Sequence, residues 1–468
     1  MSRPSIPIEL IDAIIDQVSL IPFKNYLTLL APNYKLGSPT RTSTLSSCAL
    51  VSRAFVSRCQ KHIFNTIDLD RRKPRGMYYY GLQHRLRSNP HLGTYVRHFR
   101  LADDPEDPED TSWIAYEETP ISQTLSFLPH LYSFGLKFNS TEASWADLPG
   151  DTRAAFECVF EMESVKEVEL EYFYEFPVQL LMSLTRLRYL ALSNVRSDID
   201  SDSDVEYDFA PCEVALEGLY LRGLSPDIIE TLTKTLSSAD GPPTLRKLAL
   251  TSTTFEEDFY EAVVKLIAAC GSHLTSFAWL PTIVFRESKP HKPNQLINIY
   301  IYVNISPAFS LGPITITQLH HLRSIYVAIN FQDLLVPFDD TLSLLLQIST
   351  RPKPNAIEKI ILECHCITFP YPWITQDSGN TLAEIWRPLD AALCATRPKS
   401  EYGVETIFGN LKEVEIILSA NTIAQEAIDR FMKEKEELLP GVKAWGVVVT
   451  VRVDDTEEKR LLDWLREM

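Results

Sequence analysis

The sequence predicts an α/β fold: a small N-terminal helical bundle, then a solenoid with parallel strands on its concave face and helices outside. Three observations predict it. One template, an apolar residue at i, i+3 and i+5, recurs along the chain. Helical patterns fall in the gaps between its copies. Before any copy, the chain reads as short apolar helices.

The opening elements are IPIELIDAIIDQV, Ile6 to Val18, and LSSCALVSRAFVSRCQKHIF, Leu45 to Phe64, each with apolar residues at helical spacing. Leu20 to Ser43 separates them. The template then takes over. Its copies start at Phe64, Val96, Leu131, Val165, Leu187, Leu216 and Leu245, and again at Leu274, Leu322, Ile357, Leu411 and Val442. The step from i+3 to i+5 is strand alternation, and the residue at i tucks the preceding turn under the same core. From Val165 the starts lie 22, 29, 29 and 29 residues apart, room for a strand, a turn, a helix and a return loop. This LxxLxL pattern resembles the leucine-rich repeat.

Helices are expected between the copies. SPDIIETLTKTLSSA, from Ser225, offers a Ser cap and Pro at the first helical position. FEEDFYEAVVKLIAACG stops on Gly271. TLAEIWRPLDAALCA should kink or break at Pro388, and NTIAQEAIDRFMKEKEELL is a later member. DTEEKRLLDWLREM, 455–468, reads as an amphipathic helix capping the last repeat. The segment between Leu274 and Leu322 reads as an extra hairpin or an irregular repeat.

Composition narrows the function classes. A formal charge of −17 argues against general nucleic-acid affinity, which needs an excess of Lys and Arg on one face. RRKPR, Arg71 to Arg75, is a local exception and reads as a solvated loop or a nuclear address. DDPEDPED at 103–110 and SDIDSDSDVEYD at 197–208 read as exposed acidic loops; Ser201 and Ser203 resemble acid-directed phosphorylation sites. No run approaches the length of a spanning helix and no signal peptide is recognisable, so the expectation is a soluble chain of the cytoplasm or nucleus, without a membrane partner. The cysteines are too sparse for a disulfide scaffold.

The two opening segments together resemble the F-box, in the F-box-like form of many fungal proteins. Ile6, Pro7, Glu9 and Leu10 stand at its Leu-Pro-x-Glu-Leu start, with Ile14 on the same helical face. Leu45, Cys48, Leu50, Val51, Ser52, Arg53 and Phe55 fit its second run, and His62, Ile63 and Phe64 its exit. The resemblance divides the chain into an F-box-like domain at 1–70, with an insertion at 20–43, and a repeat domain at 71–468. It implies docking on the Skp-type adaptor of a cullin ubiquitin ligase through Pro7, Ile8, Leu10, Ile14, Leu50 and Val51, while the repeats hold a protein substrate. The competing reading is a non-enzymatic scaffold whose N-terminal helices only cap the solenoid.

Within each copy, residues at i+2, i+4 and i+6 should point off the concave face. Tyr189, Tyr220, Arg222, Lys247 and Tyr326 fall there, beside the acidic rung Glu167, Glu169 and Glu171, and form the predicted substrate strip. No catalytic residue, cofactor or metal is expected. GxSxG, GxGxxG, P-loop and HExxH patterns are absent, and Cys364 and Cys366 are read as alternating into the repeat core rather than binding zinc.

Overall fold

A computed structural model describes residues 8–20, 39–70, 77–103, 114, 121–138, 144–177, 180, 186–196, 216–238, 245–252, 257–271, 273–281, 321–330, 342, 345, 356–365, 382–399, 403–419 and 425–454. The chain divides into two compact units, Met1–Leu187 and Arg188–Met468.

The first unit opens with three helices rather than two: α1 (Ile8–Leu20), α2 (Pro39–Val51) and α3 (Arg53–Phe64). The apolar run from Leu45 to Phe64 breaks at Ser52, whose extended backbone lets its Oγ accept from Ala54 N at 3.3 Å and cap α3. Ile15, Leu45 and Cys59, one from each helix, form the core, with Ile11, Cys48, Ala49, Phe55 and Ile63 packed around them.

From α3 the chain enters β1 (Thr66–Asp70) at once. Then come α4 (Met77–Ser88), a 3-10 turn at Pro90–Tyr95, β2 (His98–Asp103), α5 (Ile121–Ser126), β3 (Ser133–Phe138), α6 (Gly150–Phe160) and β4 (Glu167–Glu171). The strands lie in chain order and pair in parallel, with Ile67 beside Phe99, Phe99 beside Phe134, and Phe134 beside Val168. The template copies therefore align rung on rung. Behind the sheet, Phe138, Trp145, Phe156, Phe160, Phe173 and Phe176 form a packed aromatic layer with centroids 4.7 to 6.4 Å apart.

In the second unit β5 (Tyr189–Ser193), β6 (Gly218–Arg222), α7 (Pro226–Ser238), β7 (Lys247–Ser252), α8 (Glu257–Cys270), β8 (Ser276–Pro281), β9 (Ser324–Asn330) and β10 (Lys359–His365) follow the same rule. α9 (Leu382–Leu393), the hairpin β11 (Thr396–Lys399) and β12 (Gly403–Thr406), β13 (Glu413–Ser419), α10 (Gln425–Glu434), α11 (Pro440–Ala444) and β14 (Val448–Asp454) complete it. β8 pairs directly with β9, Ser276 beside Ser324, so the sheet continues across the long interval from Leu274 to Leu322.

A repeated hydrogen bond sets the spacing. The carbonyl of the residue at i+1 accepts two successive N–H groups of the next repeat: Asn65 O from Arg97 and His98, Arg188 O from Glu217 and Gly218, Arg246 O from Thr275 and Ser276, Thr275 O from Arg323 and Ser324. Past three of the strands, the residue at i+7 turns the chain through a left-handed conformation: Tyr172 (φ 56°), Asn194 (φ 51°) and Gly223 (φ 56°). Gly and Asn do this at little cost, Tyr at more.

Three local expectations change. Ser225 Oγ is buried and makes no hydrogen bond to a described residue, so α7 begins on Pro226 without the predicted side-chain cap. Pro388 lies within α9 without ending it. The copy at Val442 is out of register: Val442 lies in α11 and Trp445 is exposed, while Val449 and Val451 pair with the core positions Val414 and Ile416. Gly446, at φ 79°, makes the turn that shifts the strand onward. The insertion residues 21–38, RRKPR, acidic residues 104–110 and 197–208, and the C-terminal 455–468 lie outside the described residues.

Candidate interaction surfaces

α1 is fastened to α3 by one carboxylate. Asp16 accepts from Arg58 Nε and His62 Nε2, both at 2.7 Å, and pairs with the second Arg58 nitrogen as well. These hydrogen bonds, Arg58 first and His62 second, hold the Asp16 carboxyl well below the usual carboxylate range. With Asp16 turned to α3 and Ile15 into the core, the opposite face of α1 is left to solvent. Leu10 and Ile14 are 56% and 59% exposed, and Leu50 and Val51, on the last turn of α2, are 88% and 74% exposed. These four apolar side chains of the predicted adaptor set are exposed, with no described residue covering them. Pro7 and the side chain of Ile8, its other members, lie outside the described residues.

On the first unit's open face, the acidic rung is tied down by cations. Arg100 Nη2 reaches Glu169 at 3.0 Å and Glu171 at 3.6 Å, while Lys137 Nζ reaches Glu171 at 2.6 Å. Arg100 crosses a whole strand to do so. It can because the intervening residue on β3 is Gly135, at which an added Cβ would lie 3.1 Å from Arg100 Cγ. The Glu171 side chain is almost wholly buried, where removing one partner of an ion pair is costly.

In the second unit, register places the predicted strip on one face but does not present it to solvent. Tyr220, Tyr326 and Lys247 are only 2%, 1% and 6% exposed, which corrects the expectation of a readable surface of Tyr and Lys. Tyr220 is flanked in register by Ala191 and Ala249, and Tyr326 by Ala278 and Ile361. Ala191, Ala249 and Ala278 leave room beside the two rings, and together these residues form a second buried apolar cluster with Ile417. The Tyr326 hydroxyl donates to the buried carboxylate of Glu363. Lys247 Nζ stands 5.8 Å from the Tyr189 ring centroid, and burial draws its pKa down, with Glu217 acting the other way. Tyr189 and Arg222 are half-buried. The Tyr189 hydroxyl donates to Glu217 at 3.4 Å.

Charge exposed on this unit sits one residue earlier than predicted, at i+1. Arg188, Arg246, Arg323 and Lys412 are all exposed there. The signal was legible, since LRYL, LRKL and LRSI each carry Arg after the first apolar residue, but a rule counting only strand positions passes over it. Cys364 is buried on the core side of β10; Cys366 lies outside the described residues.

Within each unit the described strands form an array of the leucine-rich repeat kind: each LxxLxL copy from Phe64 to Leu411 supplies one parallel strand, in register and in chain order. No family model matches the chain, and no curated protein matches it. A solved structure similar to it is the leucine-rich repeat-containing protein LegL7 from Legionella pneumophila, 14% identical, with a TM-score of 0.35 over 65% of this chain and 87% of that one. Among the described residues, no helix is long and apolar enough to cross a membrane.

Proposed function

We propose that the chain is the substrate-holding subunit of a Skp-cullin-F-box type ubiquitin ligase. The α1–α2 corner docks on the Skp-type adaptor, and the repeats hold a protein client. The observation that carries the reading is the exposed set Leu10, Ile14, Leu50 and Val51, on a bundle whose buried core, among the described residues, is Ile15, Leu45 and Cys59. Burying such side chains against a partner helix is the favourable term in association. The chain itself makes and breaks no bond. It raises the effective concentration of client lysines near a ubiquitin-charged enzyme, in the cytoplasm or nucleus where such ligases act.

The second reading is a protein-interaction scaffold in which the bundle caps the repeats. It is supported by the direct passage of α3 into β1 and by the Ser57–Tyr95 hydroxyl contact of 3.3 Å between α3 and the 3-10 turn. A pull-down decides between them. The full chain should retain the Skp adaptor, and Leu10→Asp with Val51→Asp should weaken that retention by about 100-fold, from roughly 1–2 kcal/mol per anchor, with an unchanged melting temperature. A wild-type chain that holds no adaptor leaves the scaffold reading standing.

A further inference from the structure

The strand-start edge of the second unit carries exposed cations on a fixed ruler. At i+1 of successive repeats stand Arg188, Glu217, Arg246, Thr275, Arg323, Glu358 and Lys412, held in step by the double hydrogen bonds to each backbone carbonyl. The two ends of this row are internally paired. Arg188 lies 3.6 Å from Glu217, and Lys412 lies 2.6 Å from Glu358.

The centre differs. Arg246 makes no ion pair with another described residue, and Arg323, 69% exposed at its side chain, has only a 3.9 Å approach to Glu358. Between them Thr275 adds no charge; its hydroxyl donates to the Arg246 carbonyl at 3.1 Å. Beside Arg323, Ser324 Oγ is buried and makes no hydrogen bond to a described residue.

We infer that Arg246 and Arg323 receive two acidic side chains of an extended segment of a protein partner, laid across the strand starts of β7, β8 and β9. The distances fit. Neighbouring strands are about 4.8 Å apart, so the two arginines are spaced by about 10 Å; a segment in the extended polyproline II conformation rises about 3.1 Å per residue with about three residues per turn, so carboxylates at j and j+3 lie on one side of it, about 9 Å apart. Guanidinium is the cation suited to bidentate carboxylate recognition. The chain's overall charge of −17 does not cancel the patch, because fields are screened beyond about 8 Å at physiological ionic strength. It discourages indiscriminate anion binding instead. Glu217 and Glu358 bound the site on both sides, so a longer acidic run meets like charge at either end. The inference concerns the second unit alone and holds whichever role the N-terminal helices play.

The test uses the full chain and fluorescein-labelled Gly/Ser nonapeptides, read by anisotropy. The peptide with Glu at positions 4 and 7 should bind about tenfold more tightly than one with adjacent Glu or with Gln at both positions. Its binding should weaken steeply with salt. Arg246→Glu with Arg323→Glu should abolish it, with unchanged melting, and should bind the corresponding Lys peptide in its place. Equal binding of the Glu and Gln peptides, or undiminished binding by the charge-reversed variant, overturns the inference. So does binding confined to a phosphoserine version, which would make the site one for phosphate rather than carboxylate.

Discussion

Two glycines in the first unit show how far a single methyl group can matter. Gly93 is buried in the 3-10 turn, and a Cβ there would fall 1.9 Å from the Phe127 carbonyl oxygen. Backbone cannot step aside as a side-chain tip can, so Gly93→Ala should destabilise the chain by about 3 kcal/mol, the upper end for overpacking. Gly81, within α4, has nothing within 4 Å of its would-be Cβ; there the same change should stabilise by about 0.5–1 kcal/mol through helix propensity. Urea titration of the pair measures both signs. Asp16 gives a pH dependence at the same scale. Its folded pKa lies below the ordinary value near 4 because Arg58 and His62 hold the anion. Its stabilisation is therefore fully present above about pH 4 and is lost as pH falls through the folded value. Thermal unfolding of wild type against Asp16→Asn should show a gap at neutral pH that closes on acidification; a gap independent of pH would refute the clamp.

At the scale of elements, one helix depends on another for its start. α11 follows Leu439, a left-handed residue (φ 49°) whose side chain cannot accept a hydrogen bond. Asp390 of α9 supplies the missing cap, its two oxygens accepting from Gly441 N and Val442 N at 3.0 Å each. Asp390→Ala should cost about 1–2 kcal/mol, seen as a lower urea midpoint, and Asp390→Asn should cost less because one acceptor remains. The sequence shows Pro440 as a helix start but nothing about its cap, since the acceptor is remote in the chain. The same limit applies to Ser225 in reverse. It stands where caps stand, yet its buried hydroxyl makes no hydrogen bond to a described residue.

For the whole molecule, the residue pattern was enough to name the repeat and its pairing partners. Each LxxLxL copy from Phe64 to Leu411 contributes a strand whose i+3 and i+5 residues align with those of a neighbour, because a period-2 apolar pattern has one register that buries it. The exposed corner of α1 and α2 was also legible. Leu10 and Ile14 fall four apart on a helix whose Ile15 and Asp16 face elsewhere.

The second unit's open face was not legible. Alternation states which residues leave the helix side of a sheet; it does not state what lies against them. Tyr220 and Tyr326 point as the pattern requires, yet pack into a buried cluster because alanines stand next to them on adjacent strands. The sequence by itself therefore determined the repeat, its strands and the apolar helices ahead of them, since these follow from spacings within a few residues. Only the tertiary structure decided which outward-facing side chains meet solvent, since burial depends on residues brought alongside from tens of positions away.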